Sequence, residues 1–211
     1  VTFDGSTWSS PVRVTDDGIP DANPQAAYRG NNRELAWLRG NALVRLTGLS
    51  PFSVEPVREG VFSAGMIDFR LYADPTDHLV LLWQDSDDKG IDLFYSVYDQ
   101  ANAVWSNDLR LTEDAAMEKD FSGVFAQDGL FHLVFNKKDL GAGTTDLFHL
   151  TYALAVDLAV GPADLRVEPS APSPGDDVQL VCSVTNQGDL AVVNGTVSFY
   201  LGNPTVGGTL L

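Results

Sequence analysis

An all-β chain is expected from three observations. Apolar residues alternate in short runs, the two-residue period of a half-buried strand, and no window holds a 3.6-residue apolar stripe long enough for an amphipathic helix. The runs are bounded by Gly, Pro, Asp and Asn, the residues that build turns. Three sequence landmarks also recur in a fixed order, at a spacing that suits a repeated four-stranded unit.

In chain order the candidate strands are Gln25 to Tyr28, Glu34 to Leu38, Ala42 to Leu46, Met66 to Tyr72, His78 to Trp83, Leu93 to Tyr98, Val104 to Leu111, Phe121 to Ala126, Leu130 to Phe135 and Leu147 to Ala153. The first landmark is Trp8-Ser9-Ser10-Pro11-Val12-Arg13-Val14-Thr15, matched by Trp105-Ser106-Asn107-Asp108-Leu109-Arg110-Leu111-Thr112 two units of about 48 residues later. The second is an apolar run that ends on an aromatic, at Trp37, Trp83 and Phe135. The third pairs Asp92-Leu93-Phe94-Tyr95-Ser96-Val97-Tyr98 with Asp146-Leu147-Phe148-His149-Leu150-Thr151-Tyr152.

Four short strands in a unit of about 48 residues match one blade of a β-propeller. Thr2-Phe3-Asp4-Gly5-Ser6-Thr7-Trp8 resembles the S/T-x-D-x-G-x-T-W turn of the Asp-box or BNR-type propellers of the sialidase-like superfamily, although its glycine follows Asp4 directly. Ser96-Val97-Tyr98-Asp99 to Trp105 is a longer copy that lacks the glycine, and the stretch from Ala42 to about Gly60 has no box. The resemblance implies about three blades of four-stranded antiparallel sheet over residues 1–155. It gives Asp4, Thr7, Trp8, Asp99 and Trp105 structural roles, fixing turns and packing outer strands away from any active centre. Trp37, Trp83 and Phe135 are expected at equivalent places in successive blades.

The composition changes after Tyr152. Val167-Glu168-Pro169-Ser170-Ala171-Pro172-Ser173-Pro174-Gly175-Asp176 is too rich in proline to lie inside a sheet, so a second domain is expected over residues 156–211. Its Asp157-Leu158-Ala159-Val160 opening, its Pro-x-Pro-Gly-Asp turn, Val184-Thr185-Asn186-Gln187-Gly188 and Gly195-Thr196-Val197-Ser198-Phe199-Tyr200-Leu201-Gly202 resemble the CARDB family. These are immunoglobulin-like modules of bacterial and archaeal surface proteins, so the resemblance implies an incomplete immunoglobulin-like sandwich. Val178, Leu180, Cys182 and Val184 are expected on one buried face of a strand, with Cys182 as a small buried hydrophobe.

The chain of 211 residues carries 13 Lys and Arg against 29 Asp and Glu, a net charge of −16. That balance argues against nucleic acid and anionic membrane surfaces as partners, and no apolar run is long enough for a membrane-spanning helix. Most of the acids are Asp, which suits turn chemistry and also a salt-rich habitat. Val1 is not a methionine, and the opening segment reads as the end of a strand. A removed signal, or a piece excised from a longer protein, is therefore expected, with further domains of the parent chain as partners.

No G-x-S-x-G, H-E-x-x-H or phosphate-binding loop is present. Glu34, Arg39, Arg70 and Tyr72 lie near inner strands but match no catalytic motif, so no catalytic or cofactor-binding residue is assigned. His78 and His132 both precede Leu-Val and read as strand or loop histidines. Asp85-Ser86-Asp87-Asp88-Lys89-Gly90-Ile91-Asp92 partly resembles a calcium loop, with Asp85, Asp87 and Asp92 as ligands of a structural Ca²⁺, although Lys89 occupies an acidic position. Asn194-Gly195-Thr196 fits an N-glycosylation acceptor. The expectation is a non-catalytic binding, adhesion or scaffold region of a secreted or surface-displayed protein, with a polysaccharide or a protein as ligand. The alternative is part of an extracellular sialidase-like glycoside hydrolase, or a lyase, with catalytic residues partly outside this chain.

Overall fold

The computed structural model describes residues 1, 4–49, 52–59, 61, 68–86, 90–100, 102–190, 192 and 195–211. The described residues are all-β, 53% strand and 3% helical, and form several sheets, none of them closed among the described residues. It divides into a unit spanning Val1–Ala153 and a unit spanning Leu154–Leu211.

In the first unit, β1 (Asp21–Arg29), β2 (Asn32–Arg39), β3 (Ala42–Leu49) and β4 (Phe52–Glu59) form an antiparallel sheet in sequence order. A second meander follows in β5 (Asp68–Ala73), β6 (Leu79–Ser86) and β7 (Ile91–Asp99). Its outer edge is covered by two short strands, β8 (Val104–Trp105) and β9 (Leu109–Arg110), which both pair with β7. The third meander is β10 (Met117–Phe125), β11 (Leu130–Lys138) and β12 (Thr145–Ala153). A single parallel pair, Met117 with Ile91, joins it to β7, so the second and third meanders are continuous as one sheet.

Strand β4 carries Pro56 and three charged residues and was not expected from the alternation. Proline is tolerated there because β4 is the edge of its sheet. Strands β1 and β10 begin several residues earlier than their apolar alternation suggests. Each contains a bulge in which two residues oppose one: Asn23 and Pro24 lie against Trp37, and Asp120 and Phe121 lie against Phe135. Asn23 and Asp120 take positive φ, 48° and 50°, in the left-handed region that Asn and Asp enter most readily among residues with a side chain. The extra residue shifts the phase of alternation, which hides the strand start in the sequence.

The landmarks map onto matching places. Trp37, Trp83 and Phe135 are all buried on the second strand of their meanders. Trp83 lies across from Phe94 with ring centroids 6.0 Å apart and planes at 20°, and Phe135 lies across from Phe148 at 5.9 Å and 21°. In the eight-residue repeat, Arg13 Nε donates to Thr15 O at 2.7 Å and Arg110 Nε donates to Thr112 O at 2.9 Å.

The meanders pack through their faces. Ala36, Leu38 and Leu43 of the first meet Phe69, Leu71, Leu79, Leu81 and Trp83 of the second in one cluster. The opposite face of the first sheet buries Trp37, Val44 and Leu46 against Val14. Between the second and third, the Tyr72 and Phe131 rings meet edge to face at 5.1 Å, and the Tyr72 hydroxyl accepts from Gly123 N at 3.0 Å. Gly123 is required here, since a Cβ would lie 2.3 Å from Phe131 Cζ.

The second unit consists of β13 (Leu158–Ala159) paired with β16 (Thr185–Asn186), β14 (Leu165–Glu168) with β15 (Gln179–Cys182), and β17 (Tyr200–Leu201) with β18 (Thr209–Leu210). No described residue in it is buried. The expected buried face is therefore corrected: Val178 and Val184 are exposed and Cys182 is half-buried, because no second sheet lies over this hairpin among the described residues.

Trp83 is 1% exposed under the guanidinium of Arg58, whereas Trp8 is 69% exposed. Trp83→Ala is expected to cost about 3–5 kcal/mol, and Trp8→Ala no more than about 0.5 kcal/mol. Urea denaturation followed by circular dichroism checks both.

Candidate functional site

The most concentrated polar chemistry lies where β7, β9, β10 and β11 meet. Asp92, the second residue of β7, is buried, and its carboxylate accepts from Arg110, from Thr112 Oγ1 at 3.1 Å and from Asp114 N at 3.4 Å. Asp114 in turn pairs with Lys137 of β11 and caps Ala116 N at 2.8 Å. Lys137 Nζ lies 3.8 Å from Glu118 Oε1. Gly90 permits this approach of loop to strand, since a Cβ there would be 2.5 Å from the Ala116 carbonyl.

Glu118 is the exceptional member. Its side chain is 0% exposed and neither carboxylate oxygen has a hydrogen-bond partner among the described residues. Burial, together with the nearby negative charges of Asp114 and Asp92, pushes its pKa up to about 7, with Lys137 opposing. The same lysine holds Asp114 below the usual carboxylate range, and the Asp114 carboxylate raises Lys137. One carboxyl of this cluster is thus half protonated near neutrality while its neighbour stays ionised.

Beside the cluster is an open cleft of about 600 Å³, lined by Asp114, Lys137, Asp139, Thr144, Asp146 and the ring of Phe148 among others. Asp139 is kept ionised by the backbone N–H groups of Ala142 and Gly141. Carboxylates, a hydroxyl and an aromatic face together suit a hydroxyl-rich ligand.

Of the residues singled out from the sequence, Asp92 belongs to the cluster, and neither it nor Asp4, Thr7, Trp8, Asp85, Asp99 or Trp105 lines the cleft. Asp4 Oδ1 accepts from Ser6 N at 2.9 Å and Thr7 N at 2.8 Å, and Oδ2 accepts from Thr7 Oγ1 at 3.0 Å, which lowers its pKa well below the usual range. Asp99 makes a comparable turn with Asn102, through N at 3.2 Å and Nδ2 at 2.6 Å, and Trp105 packs on Tyr98 at 5.3 Å. Asp85 is half-buried, accepts from Ser86 N at 2.8 Å and has its pKa raised by burial. It stands across from Asp92, whose oxygens are engaged by Arg110 and Thr112. Asp87 and Asn194 lie outside the described residues. Among the described residues no group of three His, Cys, Asp or Glu is placed to hold a metal ion.

The groups near inner strands are each engaged within the fold. Glu34 accepts from Arg29 Nε at 3.0 Å, Arg39 pairs with Asp17 and Asp21, and Arg70 pairs with Asp68, which also accepts from Asn23 Nδ2 at 2.6 Å. The run Glu113-Asp114-Ala115-Ala116-Met117-Glu118-Lys119-Asp120 reads as a solvated charged loop in sequence. The burial of Glu118 follows from the bulge at Asp120 and from Gln84, whose Nε2 donates to Glu118 O at 2.6 Å. His149 was also missed. Its ring meets His132 across β11 and β12, while His78 bonds Asp74 and Thr76.

No protein-family model and no curated protein matches the chain.

Glu118 makes stability depend on pH. Unfolded, it ionises near 4.5; folded, it holds its proton to about 7. Its favourable contribution is therefore fully present below 4.5 and lost as pH rises through 7, a change of roughly 3 kcal/mol. Glu118→Gln removes that titration, so the variant is expected to gain on the wild type between pH 5 and pH 8 in urea denaturation. A difference between the two proteins that stays constant over this range would show that Glu118 ionises normally.

Proposed function

We propose that residues 1–155 are blades of a sialidase-like β-propeller and that residues 156–211 are an immunoglobulin-like module of the CARDB kind. In this reading the chain is a non-catalytic binding or scaffold region of a larger secreted or surface-displayed bacterial or archaeal protein. Support for the blades comes from three consecutive meanders packed face to face, with the same aromatic pair across the second and third strands of two of them. The observation that carries the non-catalytic reading is the engagement of the candidate acids and arginines. Glu34, Asp68, Arg39 and Arg70 are all spent on internal ion pairs, and no set of arginines converges with a free carboxylate among the described residues.

The cleft beside Asp114 and Phe148 is the place where such a platform would take a polysaccharide. Sugar hydroxyls donate to ionised carboxylates, and an aromatic ring packs on the apolar face of a pyranose.

A second reading, part of a glycoside hydrolase or lyase, is favoured by one observation. Glu118 holds a proton to about neutral pH beside an ionised Asp114, the division of roles that an acid and a partner carboxylate need. Against it stands the complete burial of Glu118 behind Lys137.

Incubation of the full chain with sialosides and a panel of common glycosides is expected to show no turnover, while a polysaccharide array is expected to show binding that weakens in Asp146→Ala or Phe148→Ala. Turnover abolished by Glu118→Gln, Glu34→Gln or Asp68→Asn would establish the enzyme reading instead.

A further inference from the structure

The exposed face of the third meander carries an arrangement that the cleft does not use. His132 of β11 and His149 of β12 are diagonal neighbours across the strand pair: His132 stands opposite Thr151, and His149 opposite Val134. Their rings are nearly parallel, at 7°, with centroids 5.4 Å apart and His132 Nδ1 only 3.2 Å from His149 Nε2. A centroid separation that exceeds the nitrogen separation by about two ring radii means that the imidazoles meet edge to edge. They do not overlap face to face. One N–H donates to the lone pair of the other, and both contacting nitrogens lie at the solvent side of a sheet whose neighbours Val124, Val134 and Leu147 are exposed.

We propose that His132 and His149 form a chelating pair for a divalent transition-metal ion of the Zn²⁺, Ni²⁺ or Cu²⁺ class. Two imidazole nitrogens bound to one tetrahedral ion at about 2.0–2.1 Å are about 3.4 Å apart, and at a right angle about 2.9 Å, so the 3.2 Å separation is already that of a chelate. Each ring needs only to tilt outward about its Cβ–Cγ bond so that both lone pairs aim at the same point above the sheet. Binding consumes no redox equivalent. Each neutral ring ends with its proton on the nitrogen remote from the metal, and the proton formerly in the N–H···N contact moves to that site through water. Imidazole selects borderline ions over Mg²⁺ or Ca²⁺, and the remaining coordination positions are open to water or to a donor from another molecule. The pair is separate from the calcium-loop candidates Asp85 and Asp92, which lie in the second meander.

Titration of the full chain with ZnCl₂, NiCl₂ and CuCl₂ at pH 7.5 by calorimetry tests this, with imidazole ¹H–¹⁵N spectra to identify the ligands. One saturable site is expected for the wild type, with shifts of the His132 and His149 ring signals. His132→Ala and His149→Ala are expected to weaken it by roughly tenfold or more, while His78→Ala leaves it unchanged. Absence of saturable binding, or equal affinity in the doubly substituted His132→Ala, His149→Ala chain, overturns the assignment. Both side chains lie on an exposed surface, so the variants are expected to keep the wild-type circular dichroism spectrum, which is recorded alongside.

Discussion

The central strand β6 is buried at every position from Leu79 to Gln84, and this demand governs the arrangement of the first unit. A strand with alternating side chains presents two faces, and when both are apolar each must be covered by a different layer. Leu79, Leu81 and Trp83 are covered by the first meander. Val80 and Leu82 face the other way, toward the side where Tyr72 and Tyr95 meet Phe131 and Tyr152 of the third. The second meander is therefore covered on one face by the first sheet and on the other by the third meander, with which it is continuous at one edge, and the turns, bulges and glycines of its neighbours bring those layers into contact with it.

That packing explains where the charges go. A meander covered on both faces leaves its strand ends as the nearest place for polar groups, and Asp92, Arg110, Asp114, Glu118 and Lys137 gather at one such end. Asp92 and Asp114 are compensated by a cation and by hydrogen bonds. Glu118 has no hydrogen-bond donor among the described residues, and the lysine 3.8 Å from it is already committed to Asp114. A buried carboxyl without donors favours its neutral form, since water is no longer there to solvate the charge. The cluster thus places a carboxyl that holds its proton up to about neutral pH and an ionised carboxylate within reach of the same lysine.

Strand existence and order were legible in the sequence wherever side chains alternate: β2, β3, β6, β7, β11 and β12 follow the apolar pattern closely. The pattern failed where a backbone irregularity moved its phase, as at the bulges of Asn23 and Asp120. It failed again where an edge position relieved a strand of any need for apolar residues, as in β4. The polar cluster was not legible at all. Its members are distant in sequence, and the charged run around Glu118 has the composition of a solvated loop; only the return of β10 beside β7 makes an interior residue of it. His149 was missed for a related reason, since strand register, which sets diagonal neighbours, cannot be read from one strand alone.

The internal repeat separates what local sequence determines from what tertiary contact determines. Both copies of the eight-residue motif fold the arginine back onto the carbonyl of the following threonine, and both copies of the Asp-Leu-Phe motif set a phenylalanine across from the aromatic of the second strand. Those contacts span a few residues or one hairpin, so they recur wherever the sequence does. Burial does not recur. Leu93 is 0% exposed and its counterpart Leu147 is 73% exposed, because β7 lies inside the stack and β12 at its outer side among the described residues. The same difference leaves His149 in solvent where the corresponding Tyr95 is buried. A repeated unit thus acquires distinct chemistry from its position in the stack, and the face that carries the histidine pair is the one the packing leaves uncovered.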